Sequence, residues 1–142
     1  MNLRRSAVAV AAVATVAIAF PGIAAAQPTA PPRIHDIQGE TRLSPLVGQA
    51  VTGVPGVVTA VRPFGSARGF WFQDPQPDAD PATSEGLFVF TAGATPAVAV
   101  GDAVEVSGTV DEFYPVDPGD TPATTPQQSI TQLSGATWTV TA

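Results

Sequence analysis

Fifteen prolines and thirteen glycines punctuate this chain of 142 residues, and the apolar residues between them come in short, valine-rich runs. Proline removes a ladder or helix donor and fixes its own φ, while glycine favours turns and bulges. No amphipathic helix of useful length fits between such breaks. Short strands joined by many turns do, so the chain reads as all-β.

Six segments carry the strand signal. Residues 51–61 form a long run interrupted at Pro55-Gly56, where a bulge or bend is expected. Residues 69–73 (Gly-Phe-Trp-Phe-Gln) and 86–90 (Gly-Leu-Phe-Val-Phe) are short and aromatic, the second apolar on both faces. Residues 103–110 alternate cleanly, with Val104, Val106 and Val110 opposite Glu105, Ser107 and Thr109. Residues 130–133 and 137–141 close the chain as two short strands. Phe70, Phe72, Phe88 and Phe90 are expected to fill the interior or cover one end, with Trp71 on the opposite face. About five strands, a long bent first strand and a long loop before the last suit a small Greek-key barrel of the OB-like kind, whose closure also removes exposed edges. A β-sandwich would want more strands.

The first 26 residues read as a signal peptide: Arg4-Arg5, an unbroken apolar run over residues 7–20, a break at Pro21-Gly22, and a small-residue cleavage site at Ala24-Ala25-Ala26. The apolar run approaches spanning length, but the break and the cleavage site favour export over a retained membrane helix. Residues 27–33 are a proline-rich spacer, and residues 34–142 the domain. A secreted protein that sheds its leader is the expectation.

There is no cysteine. That excludes disulfides, a lipid-anchored cysteine, a thiol nucleophile and cysteine–zinc sites. All six basic residues are arginine; beyond Arg4 and Arg5, four face twelve acidic residues. This acidic balance excludes strong non-specific binding to nucleic-acid backbones.

The order of motifs resembles the OB-like domain that leads bacterial extracellular nucleases of the endonuclease/exonuclease/phosphatase type. The segments that carry the resemblance are Ile34-His35-Asp36-Ile37-Gln38-Gly39 with Ser44-Pro45-Leu46, Gly56-Val57-Val58-Thr59-Ala60-Val61, Gly69-Phe70-Trp71-Phe72-Gln73-Asp74, residues 82–90, residues 100–108, Glu112-Phe113 and Thr131-Gln132-Leu133. The resemblance implies an accessory domain ahead of a metal-dependent phosphodiesterase domain. The sequence as given ends at Ala142, with none of the Asp, Asn, Glu and His groups of that catalytic half, so no catalytic residue carries over. A divalent metal is expected only in such a downstream domain, which would then be a partner of this one.

Two candidate sites come from the residues themselves. Arg62, Phe64 and Arg68 lie in the loop before the aromatic strand, next to Trp71. OB-like domains bind oligonucleotides on strands two and three and the flanking loops, where aromatic residues stack bases and arginine meets phosphate. Weak contact with DNA or RNA is the expectation, tempered by Asp111, Glu112, Asp117 and Asp120 in the opposing loop. Asp74, Asp78 and Asp80 share one loop and offer oxygen ligands to calcium, without EF-hand spacing. The competing reading is a solvated turn of acids and prolines. His35, the only histidine, is expected to make a structural hydrogen bond. The long segment 111–128 has the composition of a disordered excursion. A free-standing extracellular domain that binds protein or polysaccharide is the alternative function.

Overall fold

The computed structural model describes residues 30–142; the expected leader and the start of the spacer lie outside the described residues. One short helix, α1 (Ile34–Gln38), precedes five strands: β1 (Ala50–Arg62), β2 (Arg68–Gln73), β3 (Gly86–Ala92), β4 (Ala103–Phe113) and β5 (Ile130–Val140). The strands form one sheet in the order β1-β2-β3-β5-β4, and β4 returns to β1 to close the ring. Neighbours are antiparallel except β3 and β5, which run parallel through Phe88↔Gln132 and Val89↔Leu133. Among the described residues no helix is long and apolar enough to cross a membrane.

β1 closes the ring because it changes partner along its length. Its first part pairs with β4 from Ala50 to Val57, and its second with β2 from Val57 to Arg62. The irregularities flank Pro55-Gly56 instead of falling on it: the register shifts between Val51 and Val54 and again between Val58 and Ala60. Gly53, at φ +68°, supplies the first bulge, and its N–H turns to the Ser107 hydroxyl at 3.0 Å. Pro55 stays in the ladder opposite Glu105.

Alternation sets the interior. Val54 and Val58 of β1, Phe70 and Phe72 of β2, Leu87 and Val89 of β3, Val104, Val106 and Val110 of β4, and Leu133 of β5 are buried together. Phe70 meets Phe72 and Trp138 edge-on, at 6.2 and 5.3 Å between ring centres. Ile34 and Ile37 of α1 are fully buried in the same core. The helix is held there by Gln38 Nε2, which donates to the Gly86 carbonyl at 2.6 Å, and by the Ser44 hydroxyl, which donates to the Ile37 carbonyl.

Four expectations are corrected. Phe88 and Phe90 do not fill the interior: Leu87 and Val89 point inward, and Phe88 packs outside on Trp71. The last two short strands are one, because β5 passes through Gly135 at φ +57° and takes up the break as a register shift against β4. β4 runs on to Phe113, since Asp111, Glu112 and Phe113 pair with Gln132, Thr131 and Ile130. The segment beyond it is not a featureless excursion, for it folds into turns of its own, with Thr125 N donating to the Thr121 carbonyl at 2.9 Å and the Thr125 hydroxyl to that of Pro115 at 2.9 Å.

Candidate binding groove and the acidic loop

Trp71 and Phe88 face each other across β2 and β3 on the outside of the sheet, in register, with ring centres 4.5 Å apart and planes tilted by 40°. Their approach depends on Gly69. A side chain at that position would run into the Val89 carbonyl and the Phe88 ring. Phe90, Phe113, Ile130 and Gln132 continue the surface across β3, β4 and β5, and Arg62 and Ala67 stand at the β1–β2 loop. Together they line a cavity of about 150 Å³. Trp71 remains 38% exposed, Phe113 49% and Ile130 47%, so wide apolar faces are left open to a ligand.

Polar groups are few. Gln132, almost buried, donates from Nε2 to Asp111 Oδ2 at 3.1 Å. The Arg62 guanidinium lies 6.0 Å from the Phe64 ring centre, at the outer reach of a cation–π contact. Among the described residues no carboxylate comes within ion-pair distance of Arg62. Its charge is therefore available at the rim. Neither a carboxylate, an imidazole nor a thiol lines the cavity. Such a lining can stack and bury a planar or apolar group and meet one negative charge; it holds nothing that would move a proton or attack a bond.

Of the four residues singled out in sequence, Arg62 and Trp71 line this cavity together. Phe64 is 67% exposed beside Arg62. Arg68 is committed elsewhere. It donates to the carbonyls of Gly65 and Gly93 at 3.2 and 2.7 Å and to the Thr95 hydroxyl at 3.0 Å, tying the β1–β2 loop to the β3–β4 loop. The sequence does not tell the outward Phe88 and Phe90 from the inward Leu87 and Val89, because a strand apolar on both faces gives no alternation to read. Phe113 and Ile130 flank the long loop, and only their pairing reveals that they meet. The acids feared as repulsive are partly occupied: Glu112 Oε1 accepts from Ser44 N and the Thr131 hydroxyl, both at 2.9 Å.

The loop of residues 74–85 lies between β2 and β3, beside α1. Its aspartates build turns. Asp74 Oδ1 accepts from Gln76 N, Asp78 Oδ1 from Asp80 N and Asp80 Oδ1 from Ala82 N, at 2.8, 2.9 and 2.9 Å. Asp74, its side chain fully buried, also forms a two-pronged pair with Arg33, whose Nε donates to Oδ2 at 2.7 Å and whose second nitrogen donates to Oδ1. Burial pushes the Asp74 carboxyl up, but the Arg33 hydrogen bonds, the Gln76 and Ile34 N–H groups and the Arg33 charge outweigh it and hold it below its usual value. The three aspartates singled out for calcium are thus spread along three successive turns. The donor atoms that converge among the described residues belong to His35, Asp74 and Glu85.

No family model matches the chain, and no curated protein or solved structure does either.

Proposed function

We propose that the protein is a secreted, non-catalytic accessory module with an OB-like barrel, whose groove on β2 and β3 holds single-stranded nucleic acid weakly. The observation that carries this reading is the exposed surface of Trp71, Phe113 and Ile130, with Phe88 packed against Trp71 and with Arg62 at the rim, where it has no carboxylate partner among the described residues. It lies between the β1–β2 and β4–β5 loops, where OB-like domains take up oligonucleotides. The strand order, with β3 parallel to β5 and the ring closed through β1 and β4, supports the barrel. One unpaired base stacks on Trp71 and Phe113 while Arg62 meets the neighbouring phosphate. By resemblance, the module would serve a metal-dependent nuclease domain by keeping substrate close to it.

A second reading is a protein- or polysaccharide-binding domain. It is favoured by a groove that is largely apolar and by the excess of twelve acids over six arginines.

Fluorescence anisotropy with a labelled oligothymidine at low salt separates the two. Trp71→Ala is expected to weaken binding by about 5- to 100-fold, the loss of one stacked base. Arg62→Ala is expected to reduce the salt slope by about 0.7, the loss of one phosphate contact. No saturable binding to the oligonucleotide, or Trp71→Ala binding like wild type, contradicts the first reading.

A further inference from the structure

Away from the groove, His35 Nδ1 faces two carboxylates at once. Glu85 Oε2 lies 3.3 Å from it and Asp78 Oδ2 3.8 Å. A carboxylate oxygen of Asp74 joins them, and one donor atom each from His35, Asp74 and Glu85 lie within 4.8 Å of one another. An imidazole protonated at Nδ1 satisfies one of these oxygens by donating to Glu85 Oε2, whereas a cation seated among them would meet all of them at once. Arg33 pairs with both oxygens of Asp74, and one arginine does not balance three carboxylates.

The acids are also held in place by the loop. Glu85 Oε1 accepts from Asp78 N at 2.9 Å, Asp78 Oδ1 accepts from Asp80 N at 2.9 Å, and the Thr83 hydroxyl reaches Asp78 Oδ1 at 3.0 Å and Oδ2 at 3.1 Å. Fixing one carboxylate oxygen so that the other is aimed is how outer hydrogen bonds orient metal ligands. Metal–ligand bonds of about 2.0–2.1 Å place neighbouring donors of a zinc site roughly 3.3 Å apart. The His35–Glu85 spacing of 3.3 Å matches this.

We propose that His35, Glu85, Asp78 and Asp74 bind one divalent cation of the zinc type. The imidazole donor favours such an ion over calcium, which takes a larger shell of oxygens. His35 belongs to α1 and the acids to the loop of residues 74–85, so the ion fastens the helix that plugs the core to the loop between β2 and β3. No groove residue contributes a ligand, and the site stands or falls apart from the groove reading.

The test is isothermal titration of the full chain with zinc chloride and, separately, calcium chloride near neutral pH. One zinc per chain is expected, with affinity reduced at least about 10-fold by Glu85→Gln and by His35→Gln. Asp80→Asn, in the same loop, is expected to bind zinc like wild type, and calcium to give no saturable heat. Zinc should also raise the melting temperature of wild type and not of Glu85→Gln. Glu85→Gln keeps the oxygen that accepts from Asp78 N, so it remains decisive if His35→Gln fails to fold. No saturable zinc binding would mean that a proton alone fills the gap, and would overturn the proposal. So would equal zinc affinity in wild type and Glu85→Gln, or calcium bound as tightly as zinc.

Discussion

Asp74 illustrates how much one side chain does here. It caps a turn through Gln76 N and anchors Arg33, three residues into the described chain. Its carboxyl titrates below its unfolded value of 3.8, so the unfolded chain takes up the proton first as the pH falls. The stability it contributes is present above that value and is lost as pH drops through the lower folded one. Melting curves of wild type and Asp74→Asn are expected to differ at pH 7 and to converge in strong acid; a constant difference down to about pH 2 would contradict this. Glu112 ties the segment after α1 to β4 and β5. Its Oε1 holds Ser44 N and the Thr131 hydroxyl, while Oε2 is shut away without a partner. Glu112→Ala should cost about 1–3 kcal/mol by leaving those donors unpaired, measured by denaturant unfolding; an unchanged midpoint would show that water replaces the carboxylate. Neither role is written in the local sequence. Ser44 and Glu112 are far apart along the chain, as are His35 and Glu85, and only the closed sheet brings each pair together.

Elements were legible where burial alternates and obscure where it does not. The valines of β4 name their own face, and glycine and proline mark where strands start. Residues 86–90 of β3 are apolar on both faces, so the inward set could not be told from the outward set, and with that half of the groove was lost to view. The end of β4 carries two acids, and the strand character of Asp111 and Glu112 comes from pairing with Gln132 and Thr131 of β5, not from any propensity of their own. Gly69 is the position where the close pairing of β2 and β3 is most sensitive. Gly69→Val is expected to abolish the cooperative melt seen by circular dichroism, since the added side chain would displace the Val89 carbonyl and the Phe88 ring together. A folded Gly69→Val with normal stability would contradict the observed approach. Arg68 tests the loops. Arg68→Ala frees the β1–β2 loop from Gly93 and Thr95. It should weaken oligonucleotide binding without lowering its salt slope, since Arg68 positions the rim and touches no phosphate in the proposed mode.

At the scale of the whole molecule, a ring of five strands plugged by a five-residue helix buries one apolar core and leaves one aromatic face outside. The all-β class, the aromatic second strand and the pairing of Arg62 with Trp71 were accessible from the residues. The parallel β3–β5 contact and the convergence of Phe113 and Ile130 on Trp71 depend on long-range pairing and were not. The proposed binding surface is this outer face. Chemical-shift mapping of the ¹⁵N-labelled protein during titration with oligothymidine at low salt tests it most directly. The account predicts saturable shifts at the Trp71 indole and at the amides of Arg62, Phe64, Phe88, Phe113 and Ile130, with α1 and the loop of residues 74–85 unmoved. Shifts confined to other surfaces, or none at millimolar oligonucleotide, would contradict it.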